Sequence, residues 1–146
     1  MTNKYDYNEA LKLNNQLCFP LYSAARKITS AYTPYLSPLN LTYTQYIVFM
    51  VLWEKDNITV NEISERLLLD TGTISPVLKK MEQNSYLTRN RNKEDERQVI
   101  ISLTDKGKKM KEKCKNIPLQ LANNQTLTPE EGKQLYELLY KFLELK

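Results

Sequence analysis

The stretch from Asp70 to Leu103 constrains the fold of this chain most, because a helical pattern is followed directly by two strand patterns. Its first part carries apolar residues at i, i+3, i+4 and i+7, the stripe of a helix with one buried face: Ile74, Val77, Leu78 and Met81. The exposed face and the entry turn carry small hydrogen-bonding residues and cations: Thr71, Thr73, Ser75, Lys79 and Lys80. A helix that is packed from behind and polar in front suits the major groove of DNA, and we call it the recognition helix.

Two start signals compete for the N-terminus of the recognition helix. Asp70 is a favourable N-cap, and Ser75-Pro76 equally fits an N-cap followed by proline at the first helical position. The sequence leaves both open. Beyond the helix, residues 86–91 and 98–103 predict two strands joined by a charged loop. We therefore expect a β-hairpin wing over residues 86–103.

Helical patterns flank this stretch on both sides. An apolar stripe over residues 9–36 predicts a long first helix, which Pro20 should kink or force to start late. Capping boxes at 42–45 and 59–62 open a second helix, running to Trp53, and a short third helix. In the second helix we expect one side to be formed by Tyr43, Ile47 and Met50.

After the hairpin, Thr104 and Asp105 cap a fifth helix that should run to about Asn116, with an interruption at Pro118. Residues 123–125 predict a turn, and residues 128–131 carry a complete start signal for the last helix. The order of elements predicts a mainly α protein with a small β-hairpin wing, a winged helix-turn-helix. We expect one domain over 1–146, with a DNA-binding head at 42–103.

The terminal segments, 1–38 and 104–146, have no role in such a head, yet they carry wide apolar stripes. A symmetric homodimer built from these N- and C-terminal helices would bury them. It would also place two recognition helices about 34–36 Å apart on a pseudo-palindromic site.

Composition excludes several classes of protein. The 146 residues contain no apolar run long enough for a membrane span, and the N-terminus lacks a signal-peptide core, which predicts a cytoplasmic protein without membrane contact. The chain contains no histidine, so the usual zinc ligands and the commonest general base are missing. Two cysteines are too few for a disulfide scaffold. We expect neither an enzyme nor a metal or cofactor.

The net charge of +4 is concentrated in one region. Residues 79–115 carry 12 Lys and Arg against 6 Asp and Glu, whereas the segments before and after each carry one excess negative charge. A basic block around the recognition helix and hairpin predicts contact with the phosphate backbone of DNA. For the lysines of 106–115 alone, a solvated helix face is an equally good interpretation.

Specific roles in DNA binding follow from residue type and position. Lys79 and Lys80 should contact phosphates, while three hydroxyl residues should reach base edges or backbone: Thr71, Thr73 and Ser75. Arg97 at the wing tip can enter a narrow, A·T-rich minor groove, and a salt bridge to Asp95 would orient its guanidinium. Arg89 and Arg91 are expected to contact phosphates from the wing.

Cys18 is the candidate redox residue. A cysteine on an apolar helix face is usually an inert core residue, but Tyr22 follows at i+4 and Tyr32 lies further along the same face. Phenolic hydroxyls that donate to sulfur would favour the thiolate, which attacks a peroxide to give sulfenic acid. Apolar neighbours would favour an organic hydroperoxide over hydrogen peroxide.

Three motifs carry a resemblance to a known family. The wing residues Asp95-Glu96-Arg97 with Leu103-Thr104 resemble the MarR family of bacterial transcription regulators. Residues 69–82 and 15–22 resemble its branch of organic-hydroperoxide-resistance repressors and thiol-based redox regulators. The resemblance implies a dimer that binds DNA in its reduced form, with Cys18 matching the peroxide sensor. It also implies sensor-pocket roles for Tyr22, and for Tyr32 and Tyr43 of the partner subunit.

Departures from the family and competing functions leave several points open. Pro20 stands where the family continues the helix, and Cys114 does not match the usual resolving cysteine. Oxidised Cys18 would form a disulfide either with Cys114 of the other subunit or with a small thiol, and an incidental role for Cys114 is equally compatible. The alternatives to redox sensing are a regulator relieved by a small aromatic ligand, a thiol-dependent peroxidase and a winged helix that binds only protein.

Overall fold

The computed structural model describes residues 6–122 and 126–145. Its helices are α1 (Tyr7–Ala10), α2 (Cys18–Ala31), α3 (Thr33–Leu36), α4 (Tyr43–Glu54), α5 (Val60–Leu67), α6 (Thr71–Gln83), α7 (Asp105–Cys114), α8 (Ile117–Ala122) and α9 (Pro129–Phe142). Its strands are β1 (Ile58–Thr59), β2 (Leu87–Arg91) and β3 (Val99–Leu103). Short 3₁₀ turns occupy Leu13–Asn15 and Ser37–Leu39.

The prediction of one long first helix is wrong. The segment contains α1, a 3₁₀ turn, α2 and α3, and the main helix begins only at Cys18. Pro20 is the third residue of α2, a position where its missing N–H would have no intrahelical partner. The late start caused by proline is therefore confirmed, and Cys18 becomes the first residue of a helix.

All three capping boxes are formed. Thr42 and Gln45, Thr59 and Glu62, and Thr128 and Glu131 each exchange the two reciprocal hydrogen bonds that satisfy the first turn of α4, α5 and α9. The start of the recognition helix is also settled, because Asp70 caps α6 and Pro76 lies inside it. The starts of α4, α5 and α9 depend on contacts within four residues, which is why the sequence located these three.

The residues that α4 buries are not the three that form the side of Tyr43, Ile47 and Met50. Met50 is exposed, and the side chains of Tyr43 and Ile47 are half-buried. The buried residues instead form a broad surface around Phe49: Gln45, Tyr46, Val48, Phe49, Val51 and Leu52. Helix α4 is apolar on nearly every side, so its sequence has no polar stripe to mark the solvent face.

The head is a helix-turn-helix followed by a wing. Helix α5 leads through a turn at Leu68 into α6, whose Ile74, Leu78 and Met81 are fully buried as the stripe predicted. Strands β2 and β3 pair antiparallel, with Leu87 opposite Leu103 and Arg91 opposite Val99. Strand β1 was not predicted; it pairs with β3 and makes a three-stranded sheet of order β1-β3-β2.

Helix α7 is joined tightly to the head. The Thr104 hydroxyl accepts from the Gly107 amide at 3.2 Å and donates to the Ser85 carbonyl at 2.7 Å. The Trp53 indole donates to the Gly107 carbonyl at 3.2 Å. A Cβ on Gly107 would lie 2.1 Å from the Tyr86 carbonyl oxygen, so this approach requires glycine.

The chain divides at Cys114 and Lys115 into two compact units. The second unit contains α8, with Pro118 as its second residue, and α9. The turn predicted at 123–125 lies outside the described residues. Within the part of the chain that the structure describes, no helix combines the length and apolar character that crossing a bilayer requires.

Candidate DNA interface and redox site

The N-terminus of the recognition helix is organised by Asp70. Its carboxylate accepts from the Thr73 amide at 2.8 Å and from the Thr73 hydroxyl at 2.6 Å. These hydrogen bonds, the side-chain one first, lower the pKa of Asp70. A Cβ at Gly72 would lie 2.9 Å from the carboxylate, so the small residue leaves the cap room to form.

The predicted reading residues are therefore not equivalent. The hydroxyls of Thr73 and Ser75 already donate within the helix, the latter to the Thr71 carbonyl at 2.6 Å. Thr71, Lys79 and Lys80 are all exposed. The sequence placed these residues on one end and one face of a helix, but it could not tell which hydroxyls the cap would use.

The wing tip is shaped by Asp95, although not in the manner expected. Its carboxylate accepts from the Arg97 backbone amide at 3.1 Å and from the Gln98 side chain at 3.3 Å. Across residues 6–122 and 126–145, no ion pair joins Asp95 to the Arg97 guanidinium. Asp95 thus fixes the loop backbone, while the Arg97 side chain is exposed.

The two strand arginines differ in their surroundings. Arg91 is exposed at the end of β2. Arg89 instead turns toward the recognition helix, where its guanidinium Nη1 lies 3.9 Å from Glu82 and its amide donates to the same carboxylate at 3.1 Å. Glu82 was not singled out from the sequence, because nothing local relates it to a strand residue seven positions later.

The candidate redox residue Cys18 is exposed in the single chain and is a free thiol. Its two neighbours in the sequence are apolar and are also exposed: Leu17 at 67% and Phe19 at 41%. Tyr22, one turn further along α2, is also exposed, and its ring lies beneath Arg26 at 5.5 Å. Cys18 therefore lies on an apolar surface rather than in a core.

Tyr32 and Tyr43 belong to an aromatic cluster in the same chain. Their ring centroids are 4.9 Å apart, and the Tyr46 ring lies 5.5 Å from Tyr32. Burial raises the pKa of Tyr32, Tyr43 and Tyr46, for Tyr46 to about 12. All three phenols are therefore protonated hydrogen-bond donors at neutral pH. Tyr46 was missed, although its spacing of three from Tyr43 on a helix would have indicated it.

Cys114 lies at the end of α7, only 2% exposed. Burial raises the pKa of its thiol, with the Lys113 charge opposing that effect in part. The thiol form is the less nucleophilic one. The two cysteines thus occupy opposite environments, one at the surface and one in the core.

A helix-turn-helix followed by a basic hairpin with an exposed arginine at its tip defines a winged helix-turn-helix DNA-binding protein. The family model described as transcriptional regulator SarA/Rot matches residues 30–114. The organic hydroperoxide resistance transcriptional regulator of Bacillus subtilis is 46% identical over 144 residues, which cover 99% of this chain and 96% of that protein. The chain belongs to the MarR/SarA family of transcription regulators. The predicted fold class and the prediction of a regulator rather than an enzyme are confirmed by these matches.

Solved structures of AbfR from Staphylococcus epidermidis are similar along nearly the whole chain. The reduced form bound to DNA matches with a TM-score of 0.77 at 35% identity, covering 94% of this chain and 95% of that one. The disulfide form matches with a TM-score of 0.62 at the same identity, covering 94% and 93%.

Proposed function

We propose that this protein is a repressor that binds its operator in the reduced state and releases it when an organic hydroperoxide oxidises Cys18. The observation that carries the proposal is an exposed thiol on an apolar surface, in a chain 46% identical over nearly its whole length to an organic hydroperoxide resistance regulator. An apolar surround concentrates a lipophilic peroxide at the sulfur.

The repressor acts as a homodimer formed by residues 1–38 and 104–146, around the winged head of residues 42–103. Apolar residues exposed in each compact unit support this proposal: Leu17, Phe19, Tyr22 and Ile28 in one, and Leu135, Leu138 and Phe142 in the other. Patches of this kind on one chain mark an interface with another. A two-fold axis then presents two recognition helices to a pseudo-palindromic operator.

Within each head, α6 enters the major groove and the wing tip the minor groove. Lys79, Lys80 and Arg91 are exposed and contact phosphates, while Thr71 has the hydroxyl best placed for base edges. Arg97 enters a narrow, A·T-rich minor groove, where the negative potential is strongest. The loop backbone held by Asp95 supports this geometry.

The sensor step is a two-electron oxidation. The Cys18 thiolate attacks the outer peroxide oxygen, the O–O bond breaks, and the products are a sulfenic acid and an alcohol after one proton is taken up. In the dimer, hydrogen bonds to the sulfur come from three tyrosine hydroxyls: that of Tyr22 in the same chain, and those of Tyr32 of the partner subunit and Tyr43 of the partner subunit. Their raised pKa values keep the latter two protonated and suited to that role.

A small thiol then condenses with the sulfenic acid, giving a mixed disulfide and water. We favour this route over a disulfide with Cys114, because Cys114 is 2% exposed and burial raises its pKa. The added group at Cys18 alters the dimer surface on which the two heads are mounted, and DNA is released.

The experiment is a DNA-binding titration on the region upstream of the protein's own gene. Reduced protein should bind the operator with a Kd of about 10⁻⁸ M or lower. Its affinity should fall steeply as the salt concentration rises. Cumene hydroperoxide with a small thiol should abolish binding, and excess dithiothreitol should restore it. Binding that survives oxidation contradicts the proposal.

A further inference from the structure

The base of the wing is fixed at both edges by residues outside the hairpin. On the β3 side, the Asp56 carboxylate accepts from the Leu103 amide at 2.9 Å, and the Ser102 hydroxyl donates to the Asn57 side chain at 2.6 Å. On the β2 side, the contact comes from Glu82, near the end of the recognition helix. The hairpin is thus attached to the head through named side chains.

The Glu82 contact has two parts. One carboxylate oxygen accepts the Arg89 backbone amide at 3.1 Å, and the other lies 3.9 Å from the guanidinium Nη1. Because β2 is an edge strand, this amide has no neighbouring strand to bond. The Arg89 side chain is 28% exposed, and its Nε is buried without a partner in the described residues. The guanidinium is therefore held against the protein.

We propose that Glu82 and Arg89 form a clamp that sets the angle of the wing relative to the recognition helix. Arg89 is then a positioning residue, and not the phosphate contact that its charge and place on the wing first indicate. This inference rests on the proposed DNA binding and assigns the contact that lets helix and wing act on the same DNA segment.

A small tilt at the base of the wing produces a large displacement of the hairpin tip. The hairpin tip extends roughly 10 Å beyond Arg89, at about 3.4 Å per residue, so a tilt of about 15° at the clamp moves the tip by roughly 3 Å. Such a displacement exceeds the range of a hydrogen bond and removes Arg97 from the minor groove.

The Glu82→Ala variant distinguishes a positioning role of Glu82 from a purely electrostatic effect of its charge on DNA binding. Removing a carboxylate near DNA should strengthen binding if charge alone matters. The clamp predicts the opposite, a loss of at least about fivefold in affinity, the lower end for a groove-reading arginine. Glu96→Ala is the matched control, because it removes the same charge from the exposed wing loop without touching the clamp. Glu82→Ala binding as tightly as Glu96→Ala overturns the proposal.

A double-mutant cycle tests whether the clamp acts through the wing tip. In the Glu82→Ala variant, the further change Arg97→Ala should have little effect on DNA affinity. In the otherwise wild-type chain, Arg91→Ala and Arg97→Ala should act independently, so that their fold-losses of affinity multiply. In the Arg97→Ala chain, Arg89→Ala should leave the slope of log affinity against log salt unchanged, and Arg91→Ala should reduce it by about 1.8, which is about 0.9 for each of the two heads. An equal reduction by Arg89→Ala makes Arg89 a phosphate contact and contradicts the clamp.

Amide hydrogen exchange without DNA separates this proposal from the proposed function. Exchange in residues 87–91 should accelerate in Glu82→Ala and stay unchanged in Glu96→Ala, with the thermal midpoint establishing that both are folded. Unchanged exchange in folded Glu82→Ala refutes the clamp even if DNA binding is as proposed. Faster exchange supports the clamp even if the DNA proposal fails.

Discussion

The two cysteines of this chain have the same side chain but opposite surroundings. Cys18 is exposed on an apolar surface, and Cys114 is buried at the end of α7 with a raised pKa. Because the thiolate is the reactive species, burial and the raised pKa both disfavour reaction at Cys114. Oxidation is therefore expected to be selective for Cys18.

That selectivity predicts the result of a thiol titration. With a chromogenic disulfide reagent, native reduced protein should release one equivalent quickly, and the second only on unfolding. Cys18→Ser should lose the fast equivalent, and Cys114→Ser should keep it. Two thiols that react at one rate in the native protein would contradict the assignment.

Arg97 at the wing tip is expected to contribute directly to DNA affinity. Arg97→Ala should weaken binding by about 1–3 kcal/mol at fixed salt, the range for an arginine that reads a groove. Lys93→Ala, which removes a charge from the same exposed loop, serves as the control and should cost less. Fluorescence anisotropy on the operator measures both, and unchanged affinity for Arg97→Ala would refute the minor-groove contact.

At the level of single elements, the helix starts marked by capping boxes were predictable and tertiary packing was not. Capping at Thr42, Thr59 and Thr128 depends on side chains within one turn, so the sequence contains the whole signal. Strand β1 is only two residues long and exists because β3 pairs with it. The Glu82 contact with Arg89 likewise joins a helix to a strand. Nothing in a local pattern indicates such pairings.

The same distinction applies to the candidate site. Residue types and motifs identified Cys18, Arg97 and the polar face of α6. They could not indicate that Cys114 is buried, or that the Asp70 cap uses the Thr73 hydroxyl. These facts depend on three-dimensional neighbours.

Gly107 lies where α7 packs closely against the head, next to the Tyr86 carbonyl. Gly107→Ala should lower the free energy of unfolding by about 1–3 kcal/mol, because the new Cβ would lie 2.1 Å from the Tyr86 carbonyl oxygen. Gly132→Ala is a matched control, since no atom lies within 4 Å of the new Cβ. In that helix, alanine should stabilise by about 0.5–1 kcal/mol. Chemical denaturation measures both, and equal effects would contradict the packing described.

For the whole molecule, the apolar surface exposed on α9 predicts contact with a second copy of the chain. Leu138 on α9 is 65% exposed in the single chain, a position favourable only if another surface covers it. Leu138→Glu should therefore shift the protein toward monomer in analytical ultracentrifugation and weaken operator binding, since two heads no longer act together. Lys133→Gln makes the same change of one negative charge unit on another side of the same helix and should do neither. A Leu138→Glu variant that remains dimeric at every concentration would contradict this interface.

The central claim is that oxidation of Cys18 is what releases DNA. The most direct test compares operator binding by wild type, Cys18→Ser and Cys114→Ser before and after cumene hydroperoxide with a small thiol. All three should bind equally when reduced; wild type and Cys114→Ser should then release the DNA, and Cys18→Ser should remain bound. Release of the operator by Cys18→Ser to the same extent as wild type would contradict the account.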